Sequence, residues 1–235
     1  MTPTTELGWA AAGQVRLEDA VAGLPDLAGP SRLPGWTRGH VVTHLARNAD
    51  ALVRLLEWAR TGAENPMYAS PEARNAEIEA GAGRPHAEQL DDLRRCAARF
   101  AETAGRLQPS HWEATVRTAQ GRDVPASAIG WMRVREVWLH LVDLDAGADI
   151  DVLPDDIAAA LVRDVAGWMD SRIEQGVALR LGDDTDAAPV VFGPSGAAPV
   201  AVSGPVPELV GWLTGRSPGT RLTAPDGLPE LPRWL

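Results

Sequence analysis

Through the first two-thirds of the chain, apolar residues recur at three- and four-residue steps. The clearest run lies between Thr37 and Thr61, where Val41, Leu45, Leu52, Leu55 and Leu56 share one helical face and Thr37 is suited to cap the start. A looser rhythm, Trp9, Val15, Leu17 and Val21, predicts a helix over Glu6 to Ala22, stopped by Gly23-Leu24-Pro25. A third helix is predicted over Pro85 to Leu107 with Leu90, Leu93, Ala97 and Phe100 inward. The fourth runs from about Pro125 to Ala146 on Ile129, Val134, Val137, Trp138 and Leu141. Four such helices, with longer connections after the second and the third, predict a four-helix bundle. A fifth helix, Asp155 to Glu174, leads out of it.

After Gln175-Gly176 the pattern changes. VALRLG, PVVFG and APVAVSG are short, rich in β-branched residues and separated by Gly and Pro, so they read as strands, and PVPELVGWLTGR as a short helix with Pro205 near its start. The expected fold is therefore α+β: a bundle over residues 1–150, then a connecting helix and a smaller α/β domain over 151–235. Ala187 to Pro207 carries no charge, but five prolines interrupt it, which rules against a membrane span. GPSG at Gly193 to Gly196 reads as a turn, because it lacks the strand-turn-helix setting of a nucleophile elbow or phosphate loop.

The net charge of −10 over 235 residues argues against nucleic acid or anionic lipid as partners and leaves small molecules or proteins. All 22 basic residues are arginine, so lysine Schiff-base chemistry is excluded. A single cysteine, Cys96, cannot form an intrachain disulfide. It falls between Leu93 and Phe100, where a small buried core residue is expected rather than a nucleophile. The N-terminus lacks a basic start followed by an apolar run, so no signal peptide is expected and the cytoplasm is the expected compartment.

Candidate chemistry concentrates on two helices. In REVWLH, Glu136 and His140 lie four residues apart and share a face, as do His40 and His44 on the second helix. One of the two histidines facing Glu136 and His140 would complete a three-residue metal site with a position left open, as catalytic zinc requires. The competing reading pairs Glu136 with Arg133 or Arg135 at the surface and leaves the histidines bonded to backbone. His86 and His111 read as surface residues. Arg74, Arg122 and Arg216 could each clamp a carboxylate bidentately, although each taken alone also fits a surface salt-bridge partner.

LPGWTRGHVVTHLARNADAL, NPMYASPEARNAEI, TAQGRDVPAS, WMRVREVWLHLVDL and the closing LPELPRWL together resemble the mycothiol-dependent maleylpyruvate isomerases, a branch of the DinB-like metal-binding bundles. The likeness runs from about Leu33 to the end, in the family's order, and is weak from about Gly182 to Ser203. It implies His44, Glu136 and His140 as ligands of a divalent metal, zinc first, and mycothiol as the thiol cofactor. It also implies Arg216 as the functional arginine that binds substrate, with Arg74 as a second candidate, and a substrate cleft between the domains. The implied reaction is cis-trans isomerisation of maleylpyruvate, a dicarboxylate, to fumarylpyruvate in gentisate-type aromatic catabolism, in a monomer or small homo-oligomer. Two alternatives stand beside it: a mycothiol S-transferase acting on another electrophile, and a non-catalytic metal-binding regulator.

Overall fold

A computed structural model describes residues 1–182, 188–195, 198–225 and 227–234. The chain divides into two compact units, Met1–Gly147 and Ala148–Leu235.

The first unit contains five α-helices: α1 (Thr4–Ala22), α2 (Arg38–Thr61), α3 (Pro71–Ala82), α4 (His86–Gly105) and α5 (Ala128–Asp143). Helices α1, α2, α4 and α5 form the bundle. α2 packs on α4 and α5, and α1 on α5 and, more sparsely, on α4. The α2 stripe behaves as its spacing requires, with Val41, Leu45, Leu52, Leu55 and Leu56 fully buried. Thr37 caps α2 in an extended conformation, and Gly62 closes it at φ +74°, a backbone state that costs glycine little. On α1 the inward stripe is Ala10, Gly13, Leu17 and Val21, while Val15 stays 60% exposed, so Val15 does not belong to the core as expected. Gly13 marks the closest approach of α1 to α5: a Cβ there would lie 2.6 Å from Val137 Cγ2 and 2.7 Å from Trp138 Nε1.

Two elements occupy stretches that the hydrophobic pattern predicts as connections. Helix α3 fills the stretch between the second and third expected helices. Ser70 Oγ accepts from the Ala73 N–H at 3.1 Å and Pro71 takes the first turn, where its missing N–H costs nothing. Its Gly81 sits against Thr43 of α2, where a Cβ would come within 2.4 Å of the threonine methyl. Between α4 and α5 lies an antiparallel hairpin, β1 (Thr115–Arg117) and β2 (Asp123–Pro125), paired with Val116 opposite Val124. Pro125, expected at the start of the fourth helix, is the last residue of β2, and the helix begins at Ala128.

The second unit holds α6 (Asp155–Met169), β3 (Val177–Leu181), β4 (Val190–Phe192), β5 (Val200–Gly204) and α7 (Val206–Leu213). The sheet order is β4-β3-β5, with β3 antiparallel to β4 and parallel to β5. α6 is shorter than the expected Asp155 to Glu174. It is also no mere connector, because it packs against α7 and β4 as a layer of this unit. Gly193 turns at φ +91°, but Gly196 of the expected GPSG turn, Ala187 at the head of the uncharged run and the final Leu235 lie outside the described residues. Among the described residues, no helix is long and apolar enough to cross a membrane.

Candidate functional site

Helices α2 and α5 face each other across the bundle and bring together His44, Glu136 and His140. One donor atom from each lies within 4.8 Å of the other two. His44 Nε2 is 2.8 Å from Glu136 Oε2, and His140 Nε2 is 3.3 Å from the same oxygen. The imidazoles meet edge to face, with centroids 4.9 Å apart. On the far side of His140, Nδ1 lies 2.8 Å from Asp143 Oδ2, a fully buried carboxylate that holds the ring and aims Nε2 inward. Arg74 Nη2, on α3, lies 3.1 Å from His44 Nδ1, on the side of the ring away from Glu136.

The electrostatics follow from burial and pairing. Burial opposes the charged form of His140, yet the hydrogen bonds to Asp143 and Glu136 outweigh it and raise the ring to about 9. His44 is lowered, because burial outweighs its attraction to Glu136. Burial also works against the Glu136 carboxylate, but the two imidazoles hold it well below the usual range. Two imidazole nitrogens and a carboxylate, converging from two rigid helices with a carboxylate behind one ring, fit a divalent ion. Three protein donors would leave a position open to a further ligand.

Beside these residues a cavity of about 520 Å³ opens, with His44 and Glu136 in its lining and Trp58, Tyr68, Arg74, Arg117, Met132 and Arg135 around it. Arg74 lies over the Tyr68 ring, 5.8 Å from its centroid. Burial raises the Tyr68 hydroxyl, and nearby Glu136 adds to that while Arg74 opposes it. The cavity therefore presents several cations on a chain that is acidic overall.

Of the two α2 histidines, only His44 joins the group. His40 closes a capping box: its Nδ1 accepts from the Thr37 backbone N–H at 3.1 Å, and its Nε2 faces Glu79. Glu136 turns inward to the histidines, so the surface pairing with Arg133 or Arg135 is not what organises it. Arg133 is itself buried, donating to Leu45 O, Asn48 Oδ1 and Gln14 Oε1. Arg122 is exposed in the hairpin turn. Arg216 lies in the second unit, half-buried after α7, where its guanidinium donates to Thr214 O at 3.3 Å. His86 and His111 are partly buried rather than free on the surface, His86 facing Val21 O and His111 accepting from the Gln108 N–H. Cys96 is fully buried. Burial first, then Asp50 and Asp92, push its thiol to about 11, which suits a core residue and not a nucleophile.

Sequence reasoning passed over Asp143, Tyr68 and Arg117. Asp143 follows His140 by three residues and so shares its face, a signal that was available. Tyr68 and Arg117 enter only through the packing of α3 and the hairpin, which no periodicity announces.

The family model described as the mycothiol maleylpyruvate isomerase N-terminal domain matches residues 10–145, more than half of the chain and nearly all of the first unit. A crystal structure of the mycothiol-dependent maleylpyruvate isomerase, and one of its histidine-to-alanine mutant, superpose with a TM-score of 0.89. Each shows 34% sequence identity and covers 100% of this chain and 98% of theirs. A local match of 40% identity over 83 residues is to phosphoribosyl isomerase A of Streptomyces avermitilis. It takes in 35% of this chain and spans about a third of that relative, 31% of its length. Domain match and full-length likeness agree: the chain belongs to the mycothiol maleylpyruvate isomerase family.

Proposed function

We propose that this protein is a metal- and mycothiol-dependent cis-trans isomerase that converts maleylpyruvate to fumarylpyruvate in gentisate-type aromatic catabolism. The observation that carries the reading is the convergence of His44, Glu136 and His140 within 4.8 Å at the edge of an arginine-lined cavity, in a chain that resembles such an isomerase over its whole length. His44, Glu136 and His140 would hold a divalent ion, zinc first. Their single negative charge leaves that centre net positive. When bound, ion and thiol together supply a nucleophilic sulfur at neutral pH, whose addition to the cis double bond and later elimination allow rotation between them.

The chain's own residues then do the positioning. Asp143 fixes the His140 ring, so the donor set keeps its geometry through turnover. Arg74, on the cavity wall, faces the site with a guanidinium suited to a substrate carboxylate and to the negative charge that develops on the conjugated carbonyl. Arg216 is assigned to a carboxylate by the family resemblance. The acidic whole makes these local cations necessary, because the global field repels a dianion.

The test is to incubate purified protein, zinc and mycothiol with maleylpyruvate and follow the enol absorbance. Loss of absorbance with release of fumarylpyruvate is expected. An inert mixture, with stable conjugates forming from other electrophiles, would instead assign the chain to thiol transfer.

A further inference from the structure

The seam between α1 and α4 stays open. Small side chains cause the gap: Ala10 and Ala11 on α1 face Ala97, Ala98, Ala101 and Ala104 on α4, so the helices meet without enough bulk to fill the space between them. The result is a groove of about 580 Å³ with walls that are mostly apolar and include Leu7 and Phe100. That volume is within the range of small-molecule sites, roughly 300–1,000 Å³.

The groove also has a charged floor. Arg133 is 2% exposed and lines it. Among the described residues its guanidinium donates to three oxygens, Leu45 O at 2.9 Å, Asn48 Oδ1 at 2.9 Å and Gln14 Oε1 at 2.8 Å, and all three are neutral. Five N–H groups on a guanidinium leave donor capacity beyond those three bonds. Glu18 does not supply the missing anion, for its two oxygens are engaged by Gln14 Nε2 at 2.9 Å and by Arg94 Nε at 3.4 Å. Burial draws Arg133 down to about 10 despite attraction to Glu136 one turn along α5, the mark of a cation short of compensation.

We infer that the α1–α4 seam is a second binding site, which takes an amphipathic monocarboxylate: its hydrocarbon part lies along the alanine walls and its carboxylate meets Arg133. Charge complementarity fixes the end group, and the largely apolar walls, on which Gln14, Glu18 and Arg94 are the other polar residues, fix the rest.

The probes are decanoate and 1-decanol, titrated below micelle formation into the full-length protein by calorimetry and by amide chemical-shift mapping. Decanoate is expected to bind with one equivalent, to shift amides of α1 and α4, and to bind at least tenfold more tightly than decanol. Ala101→Leu, which fills the seam from a position exposed to solvent, is expected to weaken decanoate at least tenfold while leaving metal binding unchanged. Arg133→Gln is expected to bring acid and alcohol to equal affinity. Should that variant fail to fold, the comparison of the two probes on the wild-type chain carries the charge assignment. Absent binding, equal affinity for acid and alcohol in the wild type, or binding indifferent to Ala101→Leu would each overturn the assignment, as would shifts confined to residues around His44.

Discussion

At the scale of single residues, the centre rests on which ring nitrogen each partner engages. Zinc titrated into His44→Ala and Glu136→Ala is expected to give less than a tenth of an equivalent after dialysis, measured by elemental analysis. A full equivalent in both would mean that other residues hold the ion. Asp143→Asn keeps the volume but weakens the hold on His140, and a loss of affinity of roughly 10–100-fold is expected in competition with a chelator. In the metal-free protein His140 is raised from 6.5 to about 9, so the stability it contributes is full below 6.5 and disappears as pH rises through 9. Thermal denaturation in the presence of chelator should therefore show a melting temperature that falls between pH 7 and 9.5, and a flat profile would remove His140 from that role. His44, Glu136 and His140 were legible because helical spacing alone puts the last two on one face. Helical spacing could not choose between His40 and His44, which lie one turn apart; the resemblance pointed to His44, and the physical reason lies in Thr37, whose capping box takes up His40.

At the scale of elements, α3 illustrates what periodicity misses. Its apolar stripe is nearly absent, with Ile78 and Gly81 its only buried residues, so a search for hydrophobic rhythm passes it by. The signal lay in its start, where Ser70 and Pro71 form a cap and first turn. Because α3 carries Arg74 to the cavity, its stability bears on the site. Ser70→Ala is expected to cost about 1 kcal/mol in denaturant unfolding. α2, α4 and α5 were readable from their stripes because each buries one face against the bundle. The β1–β2 hairpin was not, because three-residue strands give too few alternations to register, and in the second unit the three strands were found from β-branched residues between Gly and Pro.

For the whole molecule, the division at Gly147 places all three candidate ligands in the first unit and Arg216 in the second. Residues 1–147 produced alone are expected to bind one equivalent of zinc and to show no isomerisation, measured by elemental analysis and the enol assay. The bundle's own economy of space has a further bearing on heredity. Gly13, far along the chain from any proposed ligand, lets α1 rest on Val137 and Trp138, the residues that follow Glu136. Even one methyl there must displace the Val137 and Trp138 side chains, on the rod that also bears Glu136 and His140. A survey of random mutants for lost turnover would thus recover a remote glycine among its hits, although that glycine touches neither thiol nor acid.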